Sequence, residues 1–389
     1  MKTEINVAPA VMDWALGHMD TSMINENLLD NAEKWRTGKK RPTFNQLESL
    51  SRASGIPFGY FFLQTPPKED LSLLQYRTVD SIQLQNPSRN LVDTIHDMEN
   101  VQDWMRNYLL ENGHTDLGFV GSQKDKHNAV QIADVIRKDL GLSVNWYADS
   151  KSALDSFNKI RMFAESSNIL IMMNGVVGSN THRKLDINEF RAFTLIDNYA
   201  PLVFINANDS NNGRLFSIIH EISHIWLGYN SFYNDRYNTA FDISAVEQLC
   251  NAVAGEILVP QQSFKKRWNS VIYGDFKERI KEVASYYKCG TTVIARKALA
   301  NNFITAKQYK ECAEEAIKYY EEFIKQKRNH PGGNYYKTMA SRIDHRFLYA
   351  LYNDVSEGRT RYTDAFNLTH TNRDTFEKLF EKIRGVYNG

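Results

Sequence analysis

The stretch FSIIHEISHIWLG, Phe216 to Gly228, decides how this chain reads. At about 100° per residue, His220 and His224 differ by about 40° around a helix, so both imidazoles point to one side and can reach one metal ion. Glu221 sits between them on that side. Leu215, Ile218, Ile219, Ile222, Ile225 and Trp226 fall on the opposite arc and are expected to face a core. With ten histidines in the chain and roughly 6% Glu, one HExxH match arises by chance in about one such sequence in a hundred. This one falls on a patterned helix.

A catalytic zinc takes three protein ligands and keeps a fourth position open. Downstream, Glu247 and Asn251 stand four apart on an expected helix, Ser244 to Leu258, whose apolar arc is Val246, Leu249, Val253 and Ile257. Small Cys250 and Ala254 flank the polar pair and allow two helices to approach closely, so Cys250 reads as packing. Glu247 is the candidate third ligand, with Asn251 hydrogen-bonding a ligand or its carrier loop. The alternative is that Glu247 is a surface carboxylate and Asp242, or no carboxylate, fills the role. Two imidazoles and one carboxylate around Zn2+ leave a net positive charge that lowers the pKa of water toward about 7. Glu221 is then the candidate catalytic base, taking the water's proton and passing it to a leaving amine. Peptide-bond hydrolysis is the expected reaction. Tyr199, Arg191, Tyr229, Tyr233 and Tyr237 are candidates for stabilising the oxyanion. Leu202–Asn206 or Phe190–Ile196 could hold an extended substrate by strand addition.

The rest of the chain sets the frame. Its 389 residues allow two or three domains. Basic and acidic side chains number 47 and 46, so no global field draws the chain to nucleic acid or lipid. The most apolar run, Ile169 to Met173, is far short of the ~20 residues of a membrane span. The N-terminus lacks the apolar core of a signal peptide, and Cys250, Cys289 and Cys312 are too far apart for a CxxC pair; a cytoplasmic protein without membrane contact is expected.

Along the chain, Val11–Met19, Glu26–Trp35 and Phe44–Ser54 read as short helices of a helix-turn-helix-like bundle, with a basic run, Lys34, Arg36, Lys39, Lys40 and Arg41, between the second and third. That run is either a solvated turn or a weak nucleic-acid contact. Helical patterns at Leu91–Asn112 and Asn128–Leu140 precede strands at Ile169–Val177, Phe190–Ile196 and Leu202–Asn206. From Gln261 the pattern is helical until His330-Pro331-Gly332-Gly333, and the tail is helical with Gly358 as its internal stop. Val283–Ile304 is either a second helix-turn-helix or a helical hairpin packed on its neighbour.

With these residues in view, the chain resembles the ImmA/IrrE family of zinc metallopeptidases. Glu189 to Gly228 is similar to the family's strand pair and HExxH helix, and EQLCNAVAGEILVP, Glu247 to Pro260, to its ExxAN-type helix, where Glu247 matches the third zinc ligand and Cys250 stands in place of the usual Ala. Trp35 to Leu63 resembles the phage-repressor-type helix-turn-helix often fused ahead of this peptidase, although Gly17 to Leu29 lacks the tidy second helix and turn of a DNA reader. Gly332 to Ala365 resembles the tail of long members.

The resemblance implies an α+β fold. A zincin-like metallopeptidase domain, a small β-sheet plus the HExxH helix, is flanked by N-terminal and C-terminal all-helical modules. The expected division is 1–67 helix-turn-helix-like, 68–90 linker, 91–265 peptidase, 266–330 helical, and 331–389 C-terminal tail. It also implies a site-specific endopeptidase cutting a DNA-binding repressor or antitoxin encoded nearby, so derepressing mobile-element or stress genes. Two further readings stay open. One is a DNA-binding regulator or antitoxin-like protein whose peptidase domain is a sensor or scaffold. The other is an adaptor with a structural zinc, although structural sites usually close all four positions with Cys and His.

Overall fold

A computed structural model of the protein describes residues 4–19, 24–67, 87–233, 245–271, 274–327 and 335–387. Most of the expected linker, the break at His330–Gly333, and Asp242 and Tyr237 lie outside the described residues, as does the side chain of Tyr233. The architecture is mixed α+β, a small sheet among many helices. Among the described residues no helix is long and apolar enough to cross a membrane.

The N-terminal helices run Pro9–His18, Glu26–Arg36 and Phe44–Ser54, followed by a 3-10 turn, Phe58–Phe62. Local chemistry sets their ends. The Asn25 side chain accepts the N–H of Asn27, Thr43 and Gln46 form a capping box, and Gly55 closes the third helix at φ +74°. Val11, Met12, Ala15, Ala32, Trp35, Leu47, Leu50 and Phe61 bury one small core. This module meets the rest of the chain where Gly55 abuts the Arg183 guanidinium and Arg89 lies over the Tyr60 ring.

The main sheet has the order β1–β5–β4–β6: β1 is Leu170–Asn174, β4 Ala192–Leu195, β5 Leu202–Asn206 and β6 Ser231–Tyr233. β1 runs parallel to β5, and the β5–β4 and β4–β6 pairs are antiparallel. The expected single strand Ile169–Val177 is broken at Gly175, beyond which β2 (Val176–Val177) pairs with β3 (Asn180–Lys184) as a separate ribbon. A side chain at Gly175 would collide with Asn208, whose amide donates to the carbonyls of Gly175 and Leu185.

Both faces of the main sheet are covered, which is why its strands read as continuous apolar runs. Ile171, Met173, Ala192, Val203 and Ile205 face a core shared with the HExxH helix Asn211–Leu227 and helix Ala245–Leu258. That core extends to Ile280, Val283, Tyr287, Ile294 and Ala298, so helices Phe276–Tyr287 and Thr291–Ala300 pack as a hairpin on the same body. The alternate residues Leu170, Met172, Phe193, Leu195, Leu202 and Phe204 face a second core, built by helix Arg89–Glu111 and the C-terminal helices. Gly358, at φ +75°, separates two of these, His345–Ser356 and Tyr362–Thr369.

Besides β3 and β6, one helix was not expected from the sequence. Helix Ala153–Ser166, capped by Ser152, buries Phe157, Ile160 and Ala164 against the HExxH helix side of the sheet.

Candidate metal centre

The HExxH helix is held at both ends. Ser210 caps its N-terminus, and Gly228 ends it at φ +73° with its N–H on the His224 carbonyl. The loop before helix Ala129–Asp139 satisfies two of the last carbonyls, with Gly121 N–H on Ile225 O at 2.9 Å and Gln123 N–H on Trp226 O at 2.8 Å. Phe119 stacks on Trp226, whose indole donates to Asp139. A Cβ at Gly228 would stand 3.0 Å from the Gly121 Cα, so the close approach of loop to helix end requires glycine there. Burial exceeds the expected single arc. Every residue from Ser217 to Leu227 is buried, because sheet and helices enclose the helix.

The structure brings His220, His224 and Glu247 to one point. His220 Nε2 lies 3.1 Å from Glu247 Oε2, His224 Nε2 lies 3.3 Å from Glu247 Oε1, and the two Nε2 atoms are 3.2 Å apart. Ligands held about 2.0–2.1 Å from a tetrahedral zinc stand about 3.3 Å from one another, so this donor set fits such an ion without rearrangement. Cys250 takes no part. Burial pushes its thiol up, so it stays protonated and packs in the core shared with the HExxH helix.

Electrostatics favour a cation at the same point. Burial works against charge on His220 and His224, yet the Glu247 carboxylate outweighs it and raises both imidazoles above their ordinary value. Burial likewise pushes Glu247 up, and the two imidazoles override it, holding the carboxylate well below its usual range.

Glu221 is fully buried and does not join the three. Its Oε2 accepts from Thr194 Oγ1 at 2.5 Å and from Ser231 Oγ, while Oε1 has no hydrogen-bond partner among the described residues. Asn251, one turn past Glu247, is also buried, and its Oδ1 has no partner among the described residues. Among the described residues no acceptor faces Nδ1 of His224.

Other candidates lie elsewhere. Tyr199 packs against the core behind the sheet, away from the HExxH helix, because it sits in the β4–β5 turn among residues that face helix Arg89–Glu111. Arg191 is committed to Asp209 at 2.8 Å, about three turns before His220, with its guanidinium over the Tyr320 ring. Tyr229 follows the helix end, its ring under Lys124. Tyr233 contributes backbone to β6, opposite Ala192. The proposed substrate strands are corrected: β5 lies between β1 and β4, and β4 between β5 and β6, so neither offers a free edge. In the N-terminal basic run, Lys34 pairs with Asp30, Arg36 with Glu33 and Asp13, and Lys40 reaches Asn31; all five residues are exposed.

Sequence reasoning missed Thr194 and Ser231. Both hydroxyls become visible only through strand pairing, since they oppose each other across β4 and β6.

Residues 164–299, which carry the sheet, both histidines and both glutamates, match the family model of the M78 peptidases, described as IrrE N-terminal-like domain. Residues 343–382 match Domain of unknown function (DUF8813). No curated protein matches the chain. The first match supports an ImmA/IrrE-type metallopeptidase domain, set here between N-terminal and C-terminal helices.

Proposed function

We propose that the chain is a zinc-dependent endopeptidase, with His220, His224 and Glu247 holding the metal and Glu221 acting as general base and acid. The observation that carries this reading is the convergence of three ligand side chains beside a separate buried carboxylate with one oxygen unpartnered among the described residues. Bound zinc would polarise the scissile carbonyl and acidify the attacking water. Glu221 Oε1 accepts that water's proton and delivers it to the departing amine, so no proton need be drawn from solvent. Asn251 stands one turn past Glu247 on the same helix, poised to orient a ligand, and Cys250 and Ala254 let that helix lie close. Resemblance to the ImmA/IrrE family supports a repressor or antitoxin encoded nearby as the protein substrate.

The test is co-expression with a neighbouring repressor, reading its cleavage by gel and the zinc content of the purified chain. Wild type should carry about one zinc and cut. Glu221→Gln should keep its zinc and lose on the order of 10²- to 10⁴-fold in rate, because the amide has the same shape and no basic oxygen. Full zinc occupancy in a His220→Ala/His224→Ala double variant would sink the ligand assignment, and wild-type cleavage by Glu221→Gln would sink the base.

A further inference from the structure

We propose that Thr194 and Ser231 are positioning residues for Glu221, a two-hydroxyl cradle built by the register of β4 and β6. The inference rests on the reading of Glu221 as the water-activating base. Thr194 and Ser231 are direct partners across the antiparallel pair, so their side chains stand on one face, a few ångströms apart. Both are buried, and both donate to the same oxygen, Oε2. A carboxylate accepts at both oxygens. Saturating one from a rigid sheet fixes the carboxylate's rotation and leaves Oε1 as the acceptor for substrate water.

The chain is routed to make this pair. Gly228 turns it out of the helix, and the Asn230 side chain accepts the Ile196 N–H at 2.6 Å, which sets Ser231 beside Thr194. A one-residue slip of β6 would turn Ser231 to the far face of the sheet, while pairing with β5 keeps Thr194 in place.

Crystal structures of the full zinc-loaded chain read the carboxylate directly. In a Thr194→Val/Ser231→Ala variant we expect it to move or lose order, and in Thr194→Ser and Ser231→Thr to keep its place. A carboxylate still in place in the double variant overturns the proposal. For any member of a quenched-fluorescent peptide library that wild type cuts, the double variant should lose on the order of 10²-fold in kcat with KM little changed, since misplacing a reacting group by an ångström costs about that much. Unchanged kcat overturns it equally. If wild type cuts no peptide, the peptidase reading has failed while the crystallographic comparison still decides the cradle. Should the double variant not fold, Thr194→Val and Ser231→Ala, each lacking one donor, carry the same two readings.

Discussion

The two edges of the main sheet are finished in opposite ways. At the β1 edge, Ile171 N–H donates to Asp344 at 3.0 Å and Ile171 C=O accepts from Arg161 at 3.2 Å, so side chains replace the missing strand. Arg161 donates from all three guanidinium nitrogens, to Glu165 and to the carbonyls of Ser341, Ile343 and Ile171. Glu165 also meets His345, and Asp344 caps the next helix through Phe347. At the other end, beside β4 and β6, buried groups find no partner among the described residues at Glu221 Oε1, Asn251 Oδ1 and His224 Nδ1. A buried polar group without a partner is costly, so one region is built to hold the fold and the other keeps capacity for something that binds.

The largest effect expected of this contrast is on stability at the β1 edge. Arg161→Ala removes the hub of a satisfied network and leaves Glu165 and three carbonyls short of donors, which should cost about 3–5 kcal/mol. Urea unfolding of the metal-free chain measures it. A loss below about 1 kcal/mol would mean that the network is ornamental and that the two edges do not differ in kind.

A smaller effect is a pH dependence. Burial and the Glu165 carboxylate raise Asp344 to about 6, while His345 and Arg161 hold Glu165 below its ordinary value against its own burial. Arg346 also faces the pair. Because the folded pKa of Asp344 lies above its unfolded value, the folded state binds its proton more tightly, and this group's contribution to stability grows as pH falls from 7 to 5. The gain over that interval is about 1 kcal/mol. Asp344→Asn loses one acceptor at every pH, and its deficit against wild type should be about 1 kcal/mol larger at pH 5 than at pH 7. Equal deficits at both would assign the carboxyl no protonation role.

Much of the metal centre was legible because its spacing is local. His220, Glu221 and His224 lie within five residues, and Glu247 heads an amphipathic helix. The sheet edges were not. β6 is three residues long and β3 is polar, so neither carries a period-2 apolar signal. Without β6, β4 reads as an open edge, and the Thr194–Ser231 pair cannot be seen. Tyr199 failed for a related reason: which face of a sheet a turn residue joins depends on strand parity and connection, which composition does not reveal. The Arg161–Asp344 closure joins residues far apart in sequence, and no motif announces it.

The finest distinction between the two regions falls on Asn251. It is buried like the network residues, but its Oδ1 has no partner among the described residues, so truncating it removes an unsatisfied group along with some packing. Those terms oppose each other, and Asn251→Ala should change the unfolding free energy of the metal-free chain by less than about 1 kcal/mol. If Asn251 supports the ligands, the same variant should weaken zinc retention by about 10- to 100-fold, the usual consequence of losing a group that orients a metal ligand. Competition with a zinc-binding dye reads the second number, and urea unfolding the first. The reverse pattern, a loss of about 2 kcal/mol or more with zinc affinity unchanged, would place Asn251 among residues that hold the fold and erase the difference between the two edges at that position.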